Sequence, residues 1–312
     1  MEPIYTLTDT PIVITDLDGT ILVNGELKDD VISAFNKLQS MGIPVTFATG
    51  RSKVPASKYS KQLDLKIPYI CSGGAIITDP ESGLDIYKQE IEKKTYENII
   101  KDVKKRKDLN IAVYCLEKIF IEDEFRWISD YCNRQRIELL KIENLKSIEN
   151  RTVILLIGSI EATDKVSKDM KKKYKDTLEI NKTFDNLCEI SSKSGNKLNS
   201  SKVLLNLLNL TNDDLFYFGD GEADLDLLKY AKYGYTVEKS LANRKLNNLK
   251  SIKSPENNGF SKFLRSIIWD CYLSLLLNQG LHKLKKYKFE LHLRLHQLIF
   301  LLAQVMIFLQ NK

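Results

Sequence analysis

The sequence predicts an α/β fold organised around a doubly wound parallel sheet. Three short apolar runs, at residues 12–15, 43–48 and 68–71, have the length and composition of buried strands. Helix-spaced apolar residues at 29–41 separate the first two runs, and glycine follows each run within a few residues. Strands that alternate with helices are typical of a parallel sheet.

Between residues 75 and 190 the pattern changes to α+β. A hairpin signal opens this segment, with Ile76–Thr78 and Leu84–Tyr87 on either side of a Pro- and Gly-containing turn. The α/β pattern resumes at residue 191 with an apolar-periodic helix and a strand at 214–218. We therefore divide the chain into a core of residues 1–74 and 191–268, an inserted α+β domain of residues 75–190, and a C-terminal extension of residues 269–312.

The stretch Asp16-Leu-Asp-Gly-Thr20 directly follows the first predicted strand. Ligands of open α/β sheets bind at the carboxyl ends of the strands. Neighbouring carboxylates repel each other unless a cation lies between them or one is protonated, so the pair favours a divalent metal beside a nucleophilic carboxylate. On its own the stretch fits a turn equally well. A calcium-binding EF-hand loop is excluded, because its positions six and twelve would be Ile21 and Leu27.

Other polar groups stand at comparable places along the chain. Thr49 and the backbone N–H groups after it, from Gly50 on, can hold a phosphate at the start of the next helix, although an ordinary helix cap fits too. Lys197 begins a helix and by itself would be a surface lysine. Considered together, these groups form one candidate phosphate and Mg²⁺ site, since Mg²⁺ prefers oxygen ligands. Its acidic members are Asp16, Asp18, Asp220 and Asp224.

Composition excludes several classes of function. The net charge of +6 lies mainly in the C-terminal extension, so the nearly neutral remainder gives no argument for nucleic-acid binding. The five cysteines are scattered without a C-x-x-C pair, and no secretory signal is visible, which predicts a cytoplasmic protein. All three histidines follow residue 281, so a Ser-His-Asp triad is excluded and acid–base work is left to carboxylates.

Four ordered motifs resemble the haloacid dehalogenase (HAD) superfamily. They are Asp16-Leu-Asp-Gly-Thr20, Ala48-Thr-Gly-Arg51, Lys197 and Gly219-Asp-Gly-Glu-Ala-Asp224. The sequence is most similar to the Cof-type sugar phosphatases with a large inserted cap (type IIB). This resemblance, over residues 10–266, implies a Rossmann-like core and a Mg²⁺-dependent phosphatase. The implied substrates are small phosphorylated metabolites, sugar phosphates above all, hydrolysed through an aspartyl-phosphate intermediate.

The resemblance also implies roles for single residues. Asp16 would be the nucleophile and a metal ligand. Asp18 would protonate the leaving group, activate water and reach the metal through its backbone carbonyl. Thr49, Gly50 and Lys197 would bind the phosphate. The two remaining metal-site residues would be Asp220 and Asp224.

Three positions depart from the family pattern. Gly73 and Ala223 stand where such proteins commonly have asparagine, and Leu198 stands where they have glycine. The lost amides would remove hydrogen bonds near the site. The alternative function is therefore a catalytically weakened HAD-fold protein that binds a ligand or a regulatory partner.

The C-terminal extension lies outside the resemblance. Its apolar run at 298–309 is shorter than the roughly 20 residues that a membrane-spanning helix needs. The lysines at 283–288 would suit an anionic membrane surface. We favour the alternative, a packed C-terminal helix or a non-native extension, over membrane contact.

Overall fold

The computed structural model describes residues 11–115 and 117–266, and for Thr183 only the backbone. The chain divides into two units after Phe263, and the strands and helices bounded below lie in the first unit. A further helical segment covers residues 259–266. The extension at 269–312, including the apolar run considered for membrane contact, lies outside the described residues. Within those residues, no helix is long and apolar enough to cross a membrane.

Most strands and helices are short. The strands are β1 Ile12–Thr15, β2 Leu22–Val23, β3 Glu26–Leu27, β4 Val45–Phe47, β5 Tyr69–Cys71, β6 Ile76–Thr78, β7 Asp85–Lys88, β8 Leu109–Cys115, β9 Lys118–Ile121, β10 Glu138–Lys141, β11 Val153–Gly158, β12 Leu178–Phe184, β13 Leu187–Ser192, β14 Leu215–Gly219, β15 Tyr233–Val237 and β16 Lys250–Ile252. The helices are α1 Asp29–Ser40, α2 Lys53–Gln62, α3 Lys93–Val103, α4 Arg126–Gln135, α5 Ile160–Tyr174, α6 Lys197–Leu207, α7 Leu225–Tyr230 and α8 Leu241–Lys245.

A five-stranded parallel sheet forms the centre of the core, in the order β16-β15-β14-β1-β4. Chain order runs outward from β1 in both directions, so the sheet is doubly wound, as predicted. All four residues of β1 are buried. Ile12 and Ile14 pack in one apolar cluster with Leu204 and Leu205 of α6. Cover on both faces explains why the first three positions of this strand are apolar and why Thr15 is buried with them.

The hairpin of β6 and β7 pairs with the core. Strand β6 is hydrogen-bonded to β5 on one side and to β7 on the other, both antiparallel. Strand β5 in turn adjoins β4 through a single parallel bridge between Ala48 and Ile70. The segment that we assigned to the insertion from residue 75 therefore begins with two strands that extend a core strand. The division into domains remains a prediction.

A second sheet of six strands is supplied by the continuous segment from Leu109 to Ser192, in the order β10-β9-β8-β11-β13-β12. One face of this sheet packs under α3 and α5, where Ile154 and Ile190 are fully buried. The four described cysteines are buried free thiols at Cys71, Cys115, Cys132 and Cys188.

Because Gly74 has no side chain, the loop after β5 can lie close to the backbone at the start of α6. A Cβ on Gly74 would lie 2.1 Å from the backbone carbon of Asn196, and the residue has φ of +108°. We expect Gly74→Ala to lower the free energy of unfolding by roughly 1–3 kcal/mol more than a positive φ alone would, because backbone atoms must move.

Gly42→Ala is the matched control, since Gly42 also has a positive φ but no atom within 4 Å of the added Cβ. Its expected cost is about 1–2 kcal/mol. Urea denaturation of both variants checks the difference, and equal losses would contradict the steric argument.

Candidate active site

The carboxyl ends of three neighbouring strands are level with one another. The register pairs Thr15 of β1 with Phe218 of β14 and with Phe47 of β4. The pairing continues past the strands, since Asp16 N–H donates to the Phe218 carbonyl at 2.8 Å and Ala48 N–H donates to the Thr15 carbonyl at 2.9 Å. The residues that follow the three strands therefore meet at one edge of the sheet.

Lys197 connects two of the predicted acidic residues. Its Nζ lies 2.7 Å from Oδ1 of Asp16 and 2.7 Å from Oδ1 of Asp224. Asn196 caps α6 by accepting from the Asn199 N–H, so Lys197 is the first helical residue. The residue is only 3% exposed, and both carboxylates are buried with it. The sequence alone allowed a surface lysine, and the structure places it at the centre of the site.

Asp224 is anchored by four hydrogen bonds. Its Oδ1 accepts from Lys197 and from the Tyr217 hydroxyl, the latter at 2.6 Å. Its Oδ2 accepts from the backbone N–H groups of Asp220 and Gly221 at 3.1 and 2.8 Å. A carboxylate offers about four acceptor positions, so those of Asp224 are in use. Asp224 thus holds the acidic loop and Lys197 in place.

Asp16 and Asp220 are not fully neutralised by their surroundings. Burial raises the pKa of Asp16 to about 8, with the charges of Asp224 and Asp220 adding to the rise and Lys197 opposing it. Burial also raises the pKa of Asp220, and Asp224 adds to that shift. The Asp220 carboxylate accepts from Thr20 Oγ1 at 3.2 Å. One lysine among these carboxylates leaves excess negative charge.

This donor set fits a divalent cation. One carboxylate oxygen from each of Asp16, Asp220 and Asp224 lies within 4.8 Å of the others. Oxygen donors and excess negative charge are what Mg²⁺ prefers. Because the oxygens of Asp224 are occupied, Asp16 and Asp220 have the free capacity to hold the ion directly. The Asp18 carboxylate is outside this group, so contact from that residue would come through its backbone.

Asp18 is paired with Arg51. The guanidinium donates from Nε and from one terminal nitrogen to the two Asp18 oxygens, each at 2.7 Å. The Arg51 guanidinium also lies 5.1 Å from the centre of the Tyr59 ring. The Asp18 side chain is 54% exposed, in contrast to Asp16. Asp18 therefore reaches the open side of the site, and must leave Arg51 to act on another group.

Two of the three predicted phosphate-binding residues line the cleft. Gly50 and Lys197 line the cleft above the carboxylates. Thr49 is fully buried and is not a lining residue. Its Oγ1 accepts a hydrogen bond from the Arg51 backbone N–H at 3.1 Å. The following helix, α2, begins at Lys53 directly after Ser52, as expected.

Ser72 is a cleft residue that the sequence did not single out. Its backbone has φ of +52°, unusual for a side chain other than glycine. The conformation is held by Ser72 N–H donating to the Arg51 carbonyl at 2.7 Å and Gly73 N–H donating to the Thr49 carbonyl at 3.0 Å. Its Oγ is buried and has no hydrogen-bond partner among the described residues. Its position directly after a strand was the available signal.

The cleft has a volume of about 750 Å³. One wall is the carboxyl edge of the parallel sheet, including Asp16, Asp18 and Asp220. The opposite wall belongs to the six-stranded sheet and α4, including Glu179 and Tyr131. A ligand in this cleft would contact both sheets.

The parallel sheet and the acidic site at its carboxyl edge are those of an α/β enzyme. Residues 13–264 match the family model of haloacid dehalogenase-like hydrolases. A Buchnera aphidicola protein that is provisionally named a phosphatase is 25% identical to this chain over 261 residues, which cover 82% of this chain and 97% of that protein. The Escherichia coli 5-amino-6-(5-phospho-D-ribitylamino)uracil phosphatase is 19% identical over 236 residues, or 73% of this chain and 84% of its own.

A solved structure from Thermotoga maritima is similar with a TM-score of 0.73 and 25% identity, covering 82% of this chain and 97% of that one. The chain belongs to the haloacid dehalogenase-like hydrolase family. The predicted family and fold are confirmed, and so is the prediction of an enzyme of the phosphatase kind.

Lys197 should be essential for stability as well as for the site. We expect Lys197→Met to lower the free energy of unfolding by about 3–5 kcal/mol at neutral pH, because two buried carboxylates lose their counter-charge. The folded-state pKa of Asp16, already raised by burial, would rise further above its unfolded value. The folded state would then bind more protons, so stability should fall as pH rises from about 5 to 8.

Lys202→Met on the same helix is the control. Lys202 lies 4.8 Å from the Tyr230 ring and pairs with neither carboxylate, so a loss below about 1 kcal/mol is expected. Denaturant titrations at several pH values measure both effects. A loss for Lys197→Met no larger than the control's would show that the ion pairs carry little weight.

Proposed function

We propose that the chain is a Mg²⁺-dependent phosphatase that hydrolyses small phosphorylated metabolites, most simply sugar phosphates, through an aspartyl-phosphate on Asp16. The observation that carries the proposal is the bridge from Lys197 to Asp16 and Asp224 beside Asp220. The site therefore combines a carboxylate (Asp16), a cationic side chain (Lys197) and an acid that can bind a metal ion (Asp220). Such a set can attack, bind and neutralise a phosphoryl group.

Asp16 is the nucleophile in this proposal. Lys197 holds Oδ1, which leaves Oδ2 to attack phosphorus. The bond from phosphorus to the ester oxygen breaks, and its electron pair remains on the leaving oxygen. Lys197 remains beside the transferred group and offsets negative charge on its oxygens.

Asp18 moves the proton. Released from Arg51, the protonated Asp18 carboxyl donates to the leaving oxygen, and its carboxylate then accepts a proton from water as the water attacks phosphorus. The bond from phosphorus to Asp16 breaks, the Asp16 carboxylate is regenerated and inorganic phosphate leaves. The exposure of Asp18 supports this role, since the group must reach both an alcohol and water.

Mg²⁺ would be held by Asp16 and Asp220, with the Asp18 carbonyl as a further ligand and Asp224 in support. When bound, the ion supplies charge neutralisation for the phosphoryl oxygens and a fixed orientation for the phosphate. The raised pKa values of Asp16 and Asp220 agree with a site that is complete only with a cation.

The alternative of a weakened binding protein rests on the replaced asparagines. Gly73 and Ala223 line the cleft, and a Cβ on Gly73 would meet nothing within 4 Å. The replacements therefore open space without disturbing Lys197 and its carboxylates. An intact charged cluster favours the enzyme over the binding protein. We also propose that the segment 75–190 selects the substrate and that the protein is cytoplasmic, which its buried free thiols support.

Asp16→Asn tests the enzyme. With p-nitrophenyl phosphate and Mg²⁺ we expect kcat to fall by at least about a thousandfold, because the amide cannot form the phosphoenzyme. Chelation of Mg²⁺ should abolish the activity of the unaltered protein. Asp226→Asn removes an exposed acid of the same cleft and should retain activity. Equal background rates for Asp16→Asn and the unaltered protein would refute the proposal.

Ser72→Ala tests whether the buried hydroxyl holds a phosphate oxygen. A hydrogen bond to a charged group is worth about 1.5–3 kcal/mol, so the inhibition constant of inorganic phosphate should rise about tenfold or more. Thermal stability should not fall, since an unpaired buried hydroxyl is removed.

Ser201→Ala is the matched control, because its Oγ is also buried and unpaired among the described residues but belongs to α6 outside the cleft lining. It should leave phosphate inhibition unchanged. Identical inhibition constants for the two variants would assign Ser72 a structural role only.

A further inference from the structure

The wall of the cleft opposite the catalytic residues consists of cross-strand rows on one face of the six-stranded sheet. In the first row Glu179 of β12 pairs with Ser191 of β13, and Ser191 pairs with Val153 of β11. In the next row Asn181 pairs with Glu189, which pairs with Leu155 of β11. All six residues line the cleft. The wall is therefore apolar at its centre and polar toward the edge of the sheet.

The polar end of this wall carries two carboxylates. Glu179 and Glu189 lie on neighbouring strands and are diagonal neighbours on one face, a separation of roughly 7–8 Å. Among the described residues that line the cleft, the cationic side chains are Arg51 and Lys197. Both lie at the catalytic end, where they pair with Asp18 and with Asp16 and Asp224. The end of the lining away from the catalytic residues, where a leaving group would lie, is thus negatively charged.

Glu179 is available for a ligand. It is partly buried, burial raises its pKa, and within the part of the chain that the structure describes it has no hydrogen-bond or ion-pair partner. The charges of Lys193 and Lys171, which are outside the cleft lining, oppose the rise in pKa, and those of Glu222 and Asp226 across the cleft add to it. A cation bound in the cleft would meet Glu179 directly.

Two hydroxyls add polar groups to the lining. Tyr114 is buried and lines the cleft, where its hydroxyl faces the Ser52 side chain, also in the lining. A hydroxyl both donates and accepts, so this pair keeps hydrogen-bonding capacity for a hydroxyl of a ligand.

An aromatic surface adjoins the polar end. Tyr131 of α4 stacks on Trp127 with ring centres 5.3 Å apart, and Phe184 contacts Trp127 edge-on at 6.4 Å. Tyr131 and Phe184 line the cleft, and Phe184 is 52% exposed. Such rings cover the flat apolar face of a ligand and attract an adjacent cation.

We propose that the leaving group is a hydroxyl-rich group carrying an amino cation, as in an amino-sugar phosphate, and that Glu179 determines this specificity. The proposal rests on the proposed phosphatase function. The amine binds at Glu179, the hydroxyls bind at Tyr114 and Ser52, and the flat face of the ligand covers Tyr131 or Phe184. A leaving group with a second acidic function is disfavoured, because both cations of the described lining are already paired at the catalytic end.

Three phosphates with the same six-carbon length test the charge preference. Glucosamine 6-phosphate carries an amine, glucose 6-phosphate is neutral there, and 6-phosphogluconate carries a carboxylate. Each is measured as a competitive inhibitor of p-nitrophenyl phosphate hydrolysis by the full chain with Mg²⁺. We expect inhibition constants to increase in that order, by about tenfold from the amine to the neutral sugar. Constants within twofold of one another, a reversed order, or no inhibition by any of the three would overturn the proposal.

Glu179→Gln should bring the constants of the amine and the neutral sugar within about twofold, while the fold and the Tm are retained. Glu138→Gln is the control, because Glu138 lies on the same sheet but outside the cleft, paired with Lys118. It should preserve the tenfold ratio. An unchanged ratio in Glu179→Gln would refute the role of that residue. Absence of p-nitrophenyl phosphate hydrolysis would instead refute the phosphatase function itself.

Discussion

The two ion pairs of Lys197 are the interaction on which the rest of the site depends. One joins Lys197 to Asp16, 181 positions away, across the segment that forms the six-stranded sheet, and the other joins Lys197 to Asp224, 27 positions away. A buried charge without a partner is costly, so the lysine and its carboxylates can be buried only together. Assembly of the site is therefore part of folding the parallel sheet.

The same arrangement explains why the site has excess charge. Asp224 is saturated by Lys197, Tyr217 and two backbone N–H groups, which fixes the loop that carries Asp220. Gly19 admits this loop, since a Cβ there would lie 2.4 Å from Asp220 Oδ2. Asp16 and Asp220 are thus held close together, while the one lysine that pairs with Asp16 is shared with Asp224. A cation site requires carboxylates that are held in fixed positions and that keep part of their negative charge.

Much of this site could be predicted because the signals are local. Asp16, Asp220 and Lys197 each directly follow a strand or open a helix, and parallel strands bring such positions to one edge. Tyr217 could not be predicted, since it lies inside an apolar strand and resembles a core residue. The pairing of Asp18 with Arg51 depends on side-chain directions across two loops. The attachment of β6 to β5 depends on register between strands, which composition does not specify.

The six-stranded sheet illustrates the same limit and shows why the two walls of the cleft differ. Local sequence patterns do not predict the order of strands in this sheet, so Glu179 and Glu189 could not be recognised as neighbours. The even-numbered residues of β11 and β13, such as Ile154 and Ile190, pack under the helices and hold the sheet together. The polar residues Glu179, Asn181, Glu189 and Ser191 face the cleft and are not part of that core. Substitutions at these positions can change which ligand binds without destabilising the fold. Substitution of Lys197, in contrast, would disrupt both ligand binding and the stability of the fold.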